Sequence, residues 1–340
     1  MKLVTKTGKS EFFIGHSIGD LLNLCGSRKA VVLIDQNVRK IYGERLKDFE
    51  LVEIEEGESN KTLLTVEKIY ERFLELGVDK SHIVIGVGGG VVCDIAGYSA
   101  STFMRGIPFG FVPTTLLAQV DASIGGKNGV NLRGYKNLIG TIRQPEFCLI
   151  DLDFLKTLPK NELTSGFAEI VKAGAIADRS FFEYIEENYS SILSLNEEEI
   201  NKAVSSAISI KIGIVSSDEM EQWERMKLNF GHTIGHAIEK VAKIPHGYAV
   251  SIGMVAAGKL SVTKGLLDDS QLKRIKDLLQ KIGLPIKIEV NKTNVMEALT
   301  KDKKRRRNKI NMVLLNGIGN AVISAVEKED ILNILDEVCL

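Results

Sequence analysis

The chain lacks an excess of either charge: 340 residues carry 44 Lys+Arg against 44 Asp+Glu. A neutral balance disfavours bulk attraction to nucleic acid or to a membrane surface and leaves a small molecule as the expected ligand. Long apolar runs are missing as well. No segment reaches the roughly 18 successive apolar residues that a membrane helix needs. The first 30 residues, with Lys2, Lys6, Lys9, Glu11 and Asp20 scattered through them, have no signal-peptide core. A cytoplasmic protein is expected. Cysteine is sparse: Cys25, Cys93, Cys148 and Cys339 lie far apart and form no CxxC, which reads as packed, reduced thiols instead of a disulfide frame.

Three motif absences narrow the chemistry. GxGxxG counted from Gly86 and Gly88 meets Val91 where the third glycine belongs, so the usual dinucleotide fingerprint is absent. Gly125-Gly126-Lys127-Asn128 lacks the spaced glycine and the Ser/Thr of a Walker loop. Thr233 follows His232, which excludes the HExxH of zinc peptidases.

What is present suggests two domains, since single cores stop growing near roughly 250–300 residues. In the first half, β-branched runs at Ala30–Ile34 and His82–Val87 and the strand-like Phe109–Val112 alternate with helical patterns at Thr65–Leu76 and Val91–Met104, which predicts a parallel sheet. From about Asn161 the pattern turns helical: Glu162–Ala177, Arg179–Glu187, Glu197–Ser217, the segment around Asn229–Ala242, and Tyr248–Lys264. The division predicted is an α/β domain over 1–158 and a mainly α-helical domain over 159–340, packed with a cleft between them.

Gly88-Gly89-Gly90 carries the strand into a helix bearing Asp94, so bare backbone meets a helix N-terminus where N–H groups attract phosphate. A tight turn that needs glycine for its backbone is the alternative. Three of the five histidines fall within fifteen residues, at His232, His236 and His246. His232 and His236 are i and i+4 and share a helix face, while His246 reaches in from a loop. Glu169, mid-helix among apolar residues, is the carboxylate best placed to complete a metal set of about three ligands; histidines that bind no metal are the bland alternative. Between Pro113 and Asn137, Asp121, Lys127, Lys136 and Asn137 gather in a stretch suited to anion capture, or to a solvated turn. Lys172 shares a face with Glu169, and Lys211 and Arg225 can add cations to the same pocket. The run Lys303–Arg307 reads as a solvated basic loop, without the aromatics of a nucleic-acid site.

Taken together, Gly88-Gly-Gly with Asp94, Phe103-Met-Arg105-Gly, Pro113-Thr-Thr, Asp121 to Lys127, Lys136-Asn137-Leu-Ile-Gly, Gly166 to Lys172, Asn229-Phe-Gly-His-Thr-Ile-Gly-His236 and His246-Gly resemble the 3-dehydroquinate synthase family along nearly the whole chain. The resemblance implies a Rossmann-like parallel-sheet domain followed by a helical metal- and substrate-binding domain. It implies zinc or cobalt on Glu169, His232 and His246, with His236 beside them as a substrate or proton-relay residue. It implies NAD on Asp35, Asn37, Glu58, Lys61, Gly89, Gly90, Asp94, Thr114 and Thr115, with Asp121, Lys127 and Lys136 near both cofactor and substrate. Arg105, Asp121, Lys127, Lys136, Asn137, Lys172, Lys211, Arg225 and Asn229 would hold the phosphate, carboxylate and hydroxyls of the substrate, joined by Lys304 or its neighbour Lys303. The implied reaction turns 3-deoxy-arabino-heptulosonate 7-phosphate into 3-dehydroquinate and phosphate by transient oxidation, elimination, re-reduction and aldol closure. A homodimer is implied too. A sibling sugar phosphate cyclase and a glycerol-type dehydrogenase are the competing readings.

Overall fold

In a computed structural model the described residues are 1–301 and 309–340, and they form two compact units, Met1–Leu158 and Pro159–Leu340. Lys303, Lys304 and the basic run to Arg307 lie outside the described residues.

The first unit is built on nine strands: β1 (Lys2–Val4), β2 (Lys9–Ile14), β3 (Ala30–Asp35), β4 (Glu50–Ile54), β5 (Ile83–Gly88), β6 (Phe109–Pro113), β7 (Lys127–Leu132), β8 (Tyr135–Ile142) and β9 (Phe147–Ile150). Seven of them make one sheet in the order β1-β2-β9-β6-β5-β3-β4, parallel except for the β1–β2 pair, while β7 and β8 form a separate antiparallel hairpin. The β-branched runs are the buried strands: Val31 to Ile34 and Ile83 to Val87 are essentially inaccessible to solvent. Helices α1 (Leu21–Cys25), α2 (Gln36–Tyr42), α3 (Leu63–Glu75) and α4 (Gly90–Thr102) supply the rest of this α/β layer structure. The chain moves outward from β3 to β4 on one side and from β5 to β6 on the other, so the carboxyl ends of β3 and β5 flank a topological switch point, the usual ligand position of open α/β sheets.

The glycines after β5 serve close approach. None of Gly86, Gly88, Gly89 or Gly90 has a positive φ, so the turn does not require glycine for its backbone conformation. A Cβ on Gly86 would lie 2.8 Å from Ala96 Cβ, and one on Gly88 would lie 2.4 Å from Val92 Cγ2 and 3.1 Å from Asp35 Oδ2. The bare backbone lets α4 sit against β5 and lets the Asp35 carboxylate lie over it. α4 ends at Thr102 and does not run to Met104, because Met104 (φ 49°), Arg105 (φ 65°) and Gly106 (φ 112°) all turn left-handed.

The second unit is mainly helical: α5 (Lys160–Ala177), α6 (Arg179–Leu193), α7 (Glu197–Ser217), α8 (His232–Ala242), α9 (His246–Thr263), α10 (Asp269–Ile282), α11 (Lys292–Lys301) and α12 (Lys328–Val338). An antiparallel hairpin of β10 (Lys309–Leu315) and β11 (Ala321–Glu327), not foreseen in the sequence pattern, joins them. Two boundaries differ from expectation. Asn229 ends a short 3-10 turn (Glu224–Asn229), and the left-handed Gly231 (φ 78°) separates it from α8. His246 is the first residue of α9, not a loop residue, since Pro245 before it fixes a backbone suited to opening a helix.

Glycines again decide how closely the helices meet. A Cβ on Gly235 of α8 would stand 2.9 Å from Ala249 O, one on Gly253 of α9 would stand 1.9 Å from Gly231 O, and one on Gly247 would stand 1.9 Å from Ser165 O of α5. Backbone-to-backbone packing of α5, α8 and α9 brings Glu169, His232 and His246 to one point.

Candidate metal and substrate site

Glu169 sits in the middle of α5 and only 3% of it is exposed. Neither carboxylate oxygen receives a well-directed hydrogen bond, although Lys172 Nζ, one turn along, is in ion-pair contact with Oε2. His232 Nε2 and His246 Nε2 each stand 3.6 Å from Glu169 Oε1, too far for a hydrogen bond. That spacing suits a shared ion: two ligands at about 2.1 Å from a tetrahedral zinc are about 3.4 Å apart. The ligand atoms of His232, His236 and His246 all lie within 4.8 Å of one another. A buried carboxylate without adequate hydrogen bonds, converging with neutral-capable imidazoles, fits a divalent cation by geometry and donor chemistry.

The far sides of the rings are held. Phe230 O lies 3.1 Å from His232 Nδ1, and Glu239 Oε2 lies 3.1 Å from His246 Nδ1. Burial opposes the Glu169 charge, but Lys172, joined by His246, outweighs it and keeps the carboxyl well below its usual range. Burial, helped by Lys172, drives His232 far below the usual imidazole value and keeps it neutral, as a ligand must be. Burial also disfavours a charged His246, yet the negative charge of Glu169 and the hydrogen bond and charge of Glu239 raise it to about 9.

A cavity of about 380 Å³ opens beside this cluster, with Glu221, Asn229, His232, Thr233, His236 and Lys240 at its polar side. His236, exposed, lies in it one helical turn beyond His232. Asn229 Nδ2 donates to Glu221 Oε1 at 2.7 Å. Arg225 and Lys211 are buried nearby in sequence order on the turn and on α7, and Arg225 donates to Glu219 O at 2.6 Å. The three cations Lys172, Lys211 and Arg225 are thus sequestered from solvent, a costly arrangement that anionic groups must offset.

In the first unit the predicted residues fall into two groups and one outlier. Asp35 caps α2, accepting from Val38 N at 2.9 Å, and Asn37 follows on that helix; Gly89 and Gly90 begin α4, and Thr114 and Thr115 follow β6. These positions surround the carboxyl ends of β3, β5 and β6. No side chain caps α4, so its leading N–H groups face outward from bare glycine backbone, a cradle that fits a pyrophosphate. The second group is a polar network. Lys61 Nζ contacts Asp94 Oδ2 and donates to Asn137 Oδ1 at 2.6 Å, and Lys136 Nζ lies 4.0 Å from Glu58 Oε1. Asp121 lies on a π-helical turn over Ala118–Ala122, near enough to Asp94 to act on its charge, and Lys127 opens β7. Arg105 is the outlier, separated from Gly90 by the length of α4, about 20 Å at 1.5 Å per residue.

Three polar residues escaped the sequence reading. Asn131 ties the network together: its Nδ2 donates to Glu58 Oε1 at 2.8 Å and its Oδ1 accepts from Asn137 N at 2.9 Å. Glu221 holds Asn229, and Glu239 holds His246. Each acts through another side chain, so only the search for a partner of an already chosen residue could have found it; for the histidines that search has a rule, since ligating imidazoles commonly donate to a carboxylate or carbonyl behind them.

Comparison with known sequences now bears on the site. The 3-dehydroquinate synthase N-terminal family model matches residues 51–165 and the C-terminal model matches residues 166–305. The chain belongs to the 3-dehydroquinate synthase family. A 3-dehydroquinate synthase of Thermoanaerobacter pseudethanolicus is 45% identical over 91% of this chain and 90% of its own. Among solved structures, 2-epi-5-epi-valiolone synthase from Streptomyces hygroscopicus with NAD+ and Zn2+ bound is 29% identical, covers 98% of both chains and superposes with a TM-score of 0.89. A 2-deoxy-scyllo-inosose synthase complexed with carbaglucose-6-phosphate, NAD+ and Co2+ is 26% identical over 99% of both chains, with a TM-score of 0.90. Family membership thus extends across both units, and no helix among the described residues is long and apolar enough to cross a membrane.

Proposed function

We propose that this protein is a 3-dehydroquinate synthase that converts 3-deoxy-arabino-heptulosonate 7-phosphate into 3-dehydroquinate and phosphate, a phosphate-eliminating carbon–oxygen lyase step of aromatic biosynthesis. One observation carries the choice of substrate: identity to proteins named 3-dehydroquinate synthase reaches 45%, against 29% and 26% for the two sibling cyclases, over comparable spans. Glu169, His232 and His246 would hold a zinc or cobalt ion. Asp35, Asn37, Glu58, Lys61, Gly89, Gly90, Asp94, Thr114 and Thr115 would hold NAD, with Asp121, Lys127 and Lys136 at its border with substrate. When bound, the metal polarises a substrate oxygen and NAD takes up and returns a hydride within each turnover.

The side chains of this protein do the rest. Lys172, Lys211 and Arg225, kept from water, would meet the anionic phosphate and carboxylate, with Asn229, Asn137, Lys136 and Lys127 supplying donors for hydroxyls and phosphate oxygens. His236, on the cavity wall, is suited to carry a proton between a substrate hydroxyl and water. Ring closure brings two parts of one molecule together, and effective molarities of about 10⁵ M or more make orientation by these donors sufficient without a dedicated base. Arg105, set off from Gly90 by the length of α4, would join these donors as the family resemblance implies. The four cysteines are free and buried, which supports a reducing, cytoplasmic setting; the family resemblance supports a homodimer.

The test is phosphate release from 3-deoxy-arabino-heptulosonate 7-phosphate by zinc- or cobalt-loaded enzyme with substoichiometric NAD, following absorbance of NADH and identifying the product. Many phosphates per NAD, no NADH build-up and 3-dehydroquinate as product are expected. Steady NADH accumulation would mean a dehydrogenase, and turnover only of a substrate without the carboxylate would mean a sibling cyclase.

A further inference from the structure

His246 lies between two carboxylates: its Nε2 faces Glu169 Oε1 at 3.6 Å and its Nδ1 meets Glu239 Oε2 at 3.1 Å. Glu239 is seven residues beyond His232 and three beyond His236 on α8, spacings that put all three on one helix face. Its side chain is 12% exposed, so its carboxylate is largely removed from water. The two histidines nearest Glu169 are therefore oriented differently. His232 is held by a backbone carbonyl that no substitution removes, whereas His246 is held by a side chain seven residues upstream across the α8–α9 turn.

We propose that Glu239 is the positioning residue for His246, accepting a hydrogen bond from Nδ1–H so that the Nε2 lone pair points to the position shared with Glu169 and His232. This rests on the reading of those three residues as metal ligands. An ionised acceptor behind an imidazole fixes its tautomer and ring angle and makes the opposite nitrogen a stronger donor. Glu239 also adds a negative charge just outside the ligand set, where it favours a doubly charged cation without touching it. The tight contact of Gly247 with Ser165 fixes the backbone of His246 but leaves its ring free to turn about χ1 and χ2; Glu239 removes that freedom.

The experiment uses the full-length protein stripped with a chelator, with Zn2+ affinity measured against a chelating dye and the visible absorption of the Co2+ form recorded. Glu239→Met keeps bulk and helix propensity but has no acceptor; Glu239→Gln keeps an acceptor without the charge. The Met variant is expected to bind Zn2+ about 10–100-fold more weakly and to shift the Co2+ bands, with the Gln variant between it and the unaltered protein. A folded Glu239→Met with unchanged Zn2+ affinity and Co2+ bands overturns the proposal, as does a Gln variant that binds no better than Met. His246→Ala is the control for the underlying reading: if it retains metal, the ligand assignment has failed, whereas loss in His246→Ala with full retention in Glu239→Met sinks the positioning role alone.

Discussion

Two polar clusters, one in each unit, solve opposite problems. In the first unit Lys61, Asp94, Asn137, Asn131 and Glu58 answer one another with hydrogen bonds and ion pairs, each side chain having a partner within the protein. In the second, Glu169 is more deeply buried, yet its Oε1 has two imidazole nitrogens at 3.6 Å and no hydrogen bond. Lys172 balances the charge of this carboxylate from the Oε2 side, which leaves Oε1 facing the two imidazole nitrogens. The contrast teaches how to separate a scaffold from a place for a ligand: a cluster that closes on itself by hydrogen bonds shapes the surface around a bound molecule, and one whose donor atoms converge without hydrogen bonds between them is shaped for an ion.

The strongest way to break the comparison is to remove a donor from the open cluster. His246→Ala should lose bound metal and reduce turnover by about 10³-fold or more, while the protein stays folded; metal content by atomic spectroscopy and phosphate release measure the two together. Full metal stoichiometry with normal turnover would leave Glu169 without the partner argued for it. A smaller effect comes from Lys172. Replacing it with Met leaves the Glu169 carboxylate facing only the histidines, so the metal-free protein should lose about 3 kcal/mol of stability. Saturating Zn2+ should recover part of that loss, because an ion that binds only the folded state stabilises it by mass action. Urea midpoints with chelator and with Zn2+ decide: equal losses under both conditions would show that the ion does not share the carboxylate with Lys172.

The closed cluster should respond in another currency. Asn131→Ala removes three hydrogen bonds, the one to Glu58 O long at 3.4 Å and the other two worth about 1 kcal/mol each, and so loosens Glu58 against the β7–β8 hairpin. KM for NAD should rise about tenfold with metal content unchanged. A fall in metal content with an unaltered KM for NAD would reverse the roles assigned to the two clusters.

How much of this could be read from the residues differs along the same line. The parallel sheet was legible because Val31–Ile34 and Ile83–Val87 are β-branched runs, and buried parallel strands admit little else. The pairing of His232 and His236 followed from helical spacing, and the depth of Glu169 from its apolar neighbours. The glycine run misled in its reason: Gly88 reads as a turn residue, but the structure uses it, like Gly247, as a place where another backbone or side chain must pass. His246 was expected on a loop although Pro245 carried the signal of a helix start. Asn131, Glu221 and Glu239 stayed hidden because their meaning lies in contacts across 6 to 73 residues of sequence, which no local period records.

Even the closed cluster is not at ease at neutral pH, and this gives the finest test. Burial raises the Asp94 carboxyl from 3.8 to about 6, more than the attraction of Lys61 lowers it. The unfolded chain ionises near the ordinary value, so between about pH 4 and pH 6 the folded protein holds more protons than the unfolded one. Stability contributed by this group is therefore full below pH 4, falls as pH rises through 6, and is absent above it. Asp94→Asn cannot titrate. It also removes the carboxylate that Lys61 contacts. The difference in urea midpoint between the unaltered protein and Asp94→Asn should thus change between pH 4 and pH 6 in the direction of relative destabilisation of the unaltered protein, then level off. Parallel curves from pH 4 to pH 7 would mean that Asp94 titrates as a solvated carboxyl, and the first cluster would then be closed in hydrogen bonding without being dry, which would move the real contrast between the units from partners to water.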